Sequence, residues 1–482
     1  MSDTPTMQSS DPQDPERHDR FPSAFTILFG LIVLVAALSW IVPAGQYDRV
    51  TNEALGKETP VPGTYRVVES APQGLLDILR APVAGFYDPA SYAANAIDVS
   101  LFVLFIGGFL GVVNRTGAID GGITAAMAGM RGREKWMIPI LMALFAAGGT
   151  TYGMAEETLA FYAILIPVMI AAGYDAATGV AVILLGAGIG VMGSTINPFA
   201  TTIASNAAGI AFTDGLLLRL AILGVGWLIC VAFVMRYAAR VKADPSASIV
   251  ADRRAENERH FAGEASGLDA ALTTRNKVVL ILFALTFAVM IWGVALRGWW
   301  MAEMSMLFLA ASLIIGTVGW VGEKPFVEAF VNGARDLLGV ALIIGLARGI
   351  VVVMDAGRIT DTVLHASEQL IAGRSEVVFI TGMYWIEVAM SFLVPSTSGL
   401  AVLSMPILAP VSDFAGVDRS LAVTAYQSAS GIVNLITPTS AVVVGALAIG
   451  RIPYNRWLLF VAPLLLVLTV LNMAALALGV VL

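Results

Sequence analysis

The chain of 482 residues is 57% hydrophobic and only 13% charged, whereas soluble domains carry about 45–50% apolar and about 25% charged residues. A single cysteine, Cys230, excludes a disulfide framework and a thiolate metal site, and the three histidines show no His-x-x-x-His spacing. The net charge of −7 comes without a basic stripe interleaved with aromatics, which excludes nucleic acid as a partner.

Residues 1–21 are polar and rich in Asp, Ser and Pro, the composition of a disordered cytoplasmic tail. The apolar run at 22–43 is too long for a signal-peptide core and reads as an uncleaved first span. Further crossings are expected at about 95–114, 176–210, 214–236, 277–296, 303–321, 334–354, 418–450 and 455–481. Two of these, 176–210 and 418–450, are too long for straight helices and carry internal breaks. The stretches 136–173 and 375–413 each hold two short apolar arms around a Gly/Ser/Thr/Pro-rich middle. Neither arm reaches the roughly 20 residues of a crossing, so both stretches are expected to be re-entrant hairpins.

Charge orients the chain. With the N-terminus in the cytoplasm, inner segments hold 18 Lys/Arg and outer segments eight, half of the latter in the long 45–94 loop. Nine crossings then leave the C-terminus outside the inner membrane of a bacterium.

The two halves resemble one another about 240 residues apart. Val113, Gly117 and Ile119 match Val353, Gly357 and Ile359; Pro167, Gly173 and Asp175 match Pro410, Gly416 and Asp418. Asn197-Pro198 then falls opposite Thr437-Pro438. Element order agrees as well: crossing, amphipathic surface helix, hairpin, broken crossing, final crossing. Because the two units enter with opposite sense, the repeats are inverted, the first hairpin opening to the cytoplasm and the second to the outside. The expected organisation is a tail (1–21), a first span with its outer loop (22–94), repeat 1 (95–236), a cytoplasmic loop (237–276), two further helices (277–333) and repeat 2 (334–482). The first span, its loop and those two helices form the scaffold. Such symmetry gives one site two mirror-related access states, which suits a transporter.

Non-helical backbone at membrane depth is tolerated only inside protein or beside a watery cavity. Four breaks therefore mark the site: 148–158 and 395–399 at the hairpin tips, and 193–198 and 434–440 in the broken crossings. Freed carbonyls, hydroxyls and amides there suit Na⁺, with Thr151, Ser194, Asn197, Ser396, Asn434, Thr437 and the backbone of Gly190 as candidates. Half-helix N-termini suit a substrate carboxylate. The candidate substrate contacts are Glu156, Glu157, Thr158, Asn197, Ser396, Thr397, Ser398, Thr437 and Thr439.

The pair Glu156-Glu157 is the sharpest local signal, because a carboxylate at the bilayer centre costs at least about 2.5–3.5 kcal/mol. One glutamate is expected to cap the second hairpin arm and the other to meet a cation, a proton or Na⁺; the sequence leaves open which is which. Glu387 and Arg348 are also intramembrane, and a mutual ion pair is the simplest expectation. Arg219, near a helix end, is expected to snorkel to the interface. Gly188-Ile189-Gly190-Val191-Met192-Gly193 satisfies a dinucleotide-binding pattern but lies in an apolar run with no preceding strand; close helix packing or approach to an ion accounts for it better.

With its Gly153-Met154-Ala155-Glu156-Glu157-Thr158, Ser194-Thr195-Ile196-Asn197-Pro198, Pro395-Ser396-Thr397-Ser398-Gly399 and Ile436-Thr437-Pro438-Thr439 segments, the chain resembles the YfcC-like branch of the ion-transporter superfamily, grouped with the DcuC-type carriers. The resemblance runs from about residue 22 to the C-terminus. It implies an all-α polytopic fold of about nine transmembrane helices with two re-entrant hairpins, a homodimer and elevator-like movement of a transport domain. Many relatives carry Ser-Asn-Thr at each tip, touching Na⁺ and a carboxylate substrate. Here the tips read Glu156-Glu157-Thr158 and Ser396-Thr397-Ser398, and two added negative charges would repel a dianion. The expected function is Na⁺- or H⁺-coupled transport or exchange of an amino acid, basic ones included, with a C4-dicarboxylate or other organic acid as the alternative. No cofactor beyond the coupling ion is expected. A passive channel fits less well, and no protease signature of an intramembrane enzyme occurs.

Overall fold

The computed structural model describes residues 24–52, 57–94, 96–119, 122, 133–151, 153–261, 273–297, 299 and 301–481. The expected tail, Tyr152 and most of the surface helix expected before the first hairpin lie outside the described residues.

The chain is predominantly helical. Helix α1 (Ala24–Leu38) leads into two short antiparallel pairs, β1 (Gly45–Gln46) with β4 (Arg66–Val67) and β2 (Arg49–Asn52) with β3 (Lys57–Pro60). Next come α2 (Leu75–Ala84) and α3 (Ile97–Arg115). The first hairpin is α4 (Met137–Thr151) and α5 (Leu159–Ala171). The broken crossing that follows is α6 (Ala176–Met192), a π-helical turn over Pro198–Thr202 and α7 (Ile203–Ala208). After α8 (Leu216–Ala243), α9 (Arg254–Phe261), α10 (Thr274–Arg297), α11 (Met301–Val318) and α12 (Glu323–Asp336), the second half opens with α13 (Leu338–Ala356) and the amphipathic α14 (Thr360–Ile371). The second hairpin is α15 (Glu376–Leu393) and α16 (Thr397–Phe414), followed by α17 (Arg419–Val433), α18 (Ala441–Ile449) and α19 (Tyr454–Val481).

Among the described residues, seven helices are long and apolar enough to cross a membrane: α3, α8, α11, α13, α15, α16 and α19. That set corrects one expectation. Both arms of the second hairpin run to 18 residues, about 27 Å each at helical rise; α16 reaches that length because Pro406 and Pro410 are accommodated within it. The hairpin nevertheless starts and ends at one level, since Glu376 at its entry lies against Gly416 at its exit. Its tip meets the break of the neighbouring crossing, where Asn434 Nδ2 donates to Thr397 Oγ1 at 3.5 Å. Helix α18 continues beyond that point. The first hairpin is closed at its base by Lys242, which sits 3.7 Å from Glu134 and over the Tyr174 ring.

Three of the matched pairs play matching parts, whereas Gly117 is left-handed at φ +69° and Gly357 is not, at φ −73°. Pro167 and Pro410 lie within the second hairpin arms. Gly173 and Gly416 close those arms in the left-handed region, at φ +85° and +75°. Asp175 and Asp418 then cap the broken crossings, accepting from the Thr178 and Ser420 amides.

Close backbone approach depends on glycine. A Cβ on Gly190 would lie 2.3 Å from the Ala146 carbonyl oxygen, and one on Gly149 the same distance from that of Ala187, so α4 and α6 touch backbone to backbone. Gly193 abuts the Leu223 backbone, and Gly431 abuts Met192 where the broken crossings meet. Gly190 and Gly193 of the nucleotide-like motif are thus packing residues, while Gly188 faces the Leu435 side chain at the cavity wall. Gly190→Val is expected to destabilise the fold by about 1–3 kcal/mol, read as a lower melting temperature in detergent. Gly224→Ala, where a Cβ meets nothing within 4 Å, is expected to leave it unchanged.

Candidate functional site

Both hairpin tips and both helix breaks open onto one cavity of about 360 Å³. Its polar lining comprises Glu156 and Glu157 from the first tip, Ser396, Thr397 and Ser398 from the second, and Asn197, Asn434, Thr439 and Ser440 from the breaks. Arg348 of α13 also lines it, among apolar neighbours that include Leu184, Val191 and Ile344.

The first tip turns at Gly153, whose φ of +79° and 2.6 Å clearance from Asn197 Oδ1 leave no room for a side chain. Glu157 is tied into the turn rather than capping the second arm: its Oε2 accepts from the Ala155 amide at 3.0 Å, and it is buried. Glu156 is more open to the cavity, and no other described residue hydrogen-bonds to its carboxylate. The second tip is capped by Ser396, which accepts from the Gly399 amide at 3.1 Å. Tyr426 holds it from beneath, donating to the Thr397 carbonyl at 2.5 Å.

At the first break, Asn197 Oδ1 accepts from the Phe199 and Ala200 amides while its Nδ2 donates to the Gly149 carbonyl. The Thr195 amide donates to Thr150 Oγ1 at 3.0 Å. Gln427 enters from the other half: its Nε2 donates to the Ser194 carbonyl at 2.9 Å, and its Oε1 accepts from Thr201, which pairs with Ser194. At the second break, Trp457 and Tyr454 donate to the Leu435 and Ile436 carbonyls, and Thr439 donates to Phe392 while its hydroxyl pairs with Thr437.

Several residues singled out by sequence stand back from the cavity. Thr158 is fully buried and donates to the Ala155 carbonyl at 2.6 Å. The Thr151 hydroxyl bonds back to the Ala147 carbonyl on an exposed face. Gly190 packs against α4, while Ser194 and Thr437 are wholly buried in the bonds just described. Asn197, Ser396 and Asn434 remain the cavity-lining members of the proposed Na⁺ set. Among the described residues no cluster of His, Cys, Asp or Glu could hold a metal ion.

Two charge assignments change. Glu387 and Arg348 do not pair. Glu387 is fully buried in α15 with neither carboxylate oxygen hydrogen-bonded, and nearby Ser404 donates to Leu400 instead. Arg348 faces the cavity. Arg219 does not snorkel either: it is fully buried and folds back to donate to the Phe212 carbonyl. Sequence reasoning missed Gln427, since a polar residue within an apolar run is the only signal that it gives; Thr150 lies in the marked break 148–158 without having been singled out.

The profile of the DcuC family, described as C4-dicarboxylate anaerobic carrier, matches residues 21–481. The chain belongs to that family. It is 37% identical to an uncharacterized protein of Haemophilus influenzae, with 92% of this chain and 94% of the other covered. It is 32% identical, with 94% of each covered, to the Escherichia coli protein named "Putative basic amino acid antiporter YfcC". Solved structures similar to it include the YdaH transporter of Alcanivorax borkumensis, at 14% identity and a TM-score of 0.42 with 95% of this chain and 98% of the other covered. Another is MtrF of Neisseria gonorrhoeae, at 16% identity and a TM-score of 0.41 with 95% of each covered. Membership of the DcuC family and the seven span-length helices make the chain a multi-span membrane protein of a transporter family.

Gln427→Leu is expected to remove two hydrogen bonds, one from Nε2 to the Ser194 carbonyl and one from the Thr201 hydroxyl to Oε1. The cost is about 1–3 kcal/mol, measurable as a lower unfolding temperature of the purified protein.

Proposed function

We propose that the chain is a secondary transporter of amino acids, cationic ones foremost, working by exchange or by coupling to H⁺ or Na⁺. The observation that carries this reading is the acidic first tip: Glu156 and Glu157 both line the cavity, and the Glu156 carboxylate has no other described hydrogen-bond partner. A carboxylate so placed at membrane depth has a task, and a cationic side chain or an α-ammonium group answers it. Hydroxyls of the second tip receive the opposite end of the substrate.

The architecture supports a moving site. Each hairpin ends on a break in its neighbouring crossing, and the matched Pro, Gly and Asp positions favour two mirrored units. In this reading the hairpins enter from opposite faces, the two units form a transport domain, and α1, α2, α10 and α11 belong to a scaffold within a homodimer. The N-terminus is cytoplasmic and the C-terminus extracytoplasmic.

A C4-dicarboxylate is the second reading, favoured by the family's description and by Arg348 at the cavity. Two glutamates in the same lining oppose it, since a dianion beside them is repelled over a few ångströms of low-dielectric space. Uptake of labelled arginine, ornithine, neutral amino acids and succinate into proteoliposomes separates the two, under imposed Na⁺, H⁺ and counter-substrate gradients. Arginine or ornithine uptake is expected to exceed succinate uptake. Glu156→Gln should raise the KM for a cationic amino acid about tenfold or more while affecting neutral amino acids less. If Glu156→Gln and Glu157→Gln both leave uptake and coupling unchanged, the acidic tip is not part of the site.

A further inference from the structure

We propose that Arg348 is the anchor for the substrate's α-carboxylate, and therefore the residue that makes the site accept an amino acid and reject the corresponding amine. The inference rests on the amino-acid reading above and deepens it.

Arg348 sits ten residues into α13, about 15 Å along the helix from its start, where a guanidinium is costly unless it has a partner. No described carboxylate lies within ion-pair distance of it. Glu387, the partner that sequence suggested, is buried elsewhere and bonds to nothing. Asp355, two turns along the same helix, lines the second cavity with Arg348 and accepts from the Thr360 hydroxyl at 2.7 Å through one of its oxygens.

What Arg348 does face is space. It lines the cavity between the hairpin tips and also a second cavity of about 590 Å³ bounded by Arg49, Glu58 and Asp361. It thus stands at the junction of the site and a vestibule beneath the β-strands. Its aim is fixed from behind. A Cβ on Gly345 would strike the Phe86 ring, and one on Gly349 would crowd the Ala81 carbonyl, so that face of α13 is locked against α2. The adjoining face, carrying Ile344, Ala347 and Arg348, is left to the cavity.

Charge and hydrogen-bond accounting agree. The ionisable groups lining the tip cavity are Glu156, Glu157 and Arg348, a net −1 with both glutamates ionised. A cationic α-amino acid carries one carboxylate and two cationic groups, so it complements that lining group for group. The second-tip hydroxyls keep their protons, since Ser396 and Thr397 act only as acceptors toward Gly399 and Asn434, and they can donate to the carboxylate alongside Arg348. Arginine's planar fork receives a carboxylate through two parallel bonds, which hydroxyls do not.

The test uses full-length protein in proteoliposomes, with labelled arginine as substrate and agmatine, which lacks the carboxylate, as competitor. In the wild type, agmatine should compete at least about tenfold more weakly than unlabelled arginine. Arg348→Gln should raise the KM for arginine about 10- to 100-fold and leave agmatine competition within about threefold, so that discrimination collapses. Arg348→Lys should keep part of it, as a point charge without the fork. Equal competition by agmatine in the wild type overturns the anchor without any variant, and so does a parallel loss of both ligands in Arg348→Gln. Failure of the wild type to take up any amino acid would remove the amino-acid reading, and the anchor with it.

Discussion

An amide or carbonyl left unpaired within a bilayer costs several kcal/mol, and that constraint organises this molecule. Four stretches of chain leave helical geometry between helices, and their polar groups find partners inside the protein. Asn197 serves two amides and one carbonyl at the first break. Trp457 and Tyr454 reach back from α19 and its approach to cover the carbonyls of Leu435 and Ile436. Gln427 bridges the halves by bonding into the first break from α17. Once these partners are counted, the groups still turned to the cavity are few, and they are the ones with which a substrate can work.

That residue of unspent polarity is asymmetric. The first tip contributes two carboxylates and the second three hydroxyl-bearing residues, although the tips occupy matching positions in the chain. Matched prolines, glycines and capping aspartates build the frame in both halves, while the tips have diverged. The frame therefore speaks to the mechanism of access, and the tips and Arg348 speak to the substrate.

Much of the fold was legible because apolar length and Gly/Pro punctuation are local signals. The runs at 95–114, 214–236, 303–321, 334–354 and 455–481 coincide with α3, α8, α11, α13 and α19, and the breaks at 193–198 and 434–440 separate α6 from α7 and α17 from α18. Helix length past proline was not legible, since tertiary packing decides whether Pro406 and Pro410 end α16. Pairing was the larger gap. Nothing along the chain joins residue 427 to residues 194 and 201, or sets Arg348 away from Glu387. Of the two adjacent glutamates, only the turn at Gly153 decides that Glu157 reaches the Ala155 amide while Glu156 is left to the cavity.

The central claim is that each hairpin returns to the face from which it entered, and that the two enter from opposite faces. Cysteine labelling from each side of the membrane tests it most directly. On a Cys230→Ala background, single cysteines replace Lys135 and Ala171 at the ends of the first hairpin, and Arg374 and Phe414 at the ends of the second. An impermeant thiol reagent should label the first pair from one side only and the second pair only from the other. Labelling of the two ends of either hairpin from opposite sides would mean that an arm passes straight through, and would contradict the account.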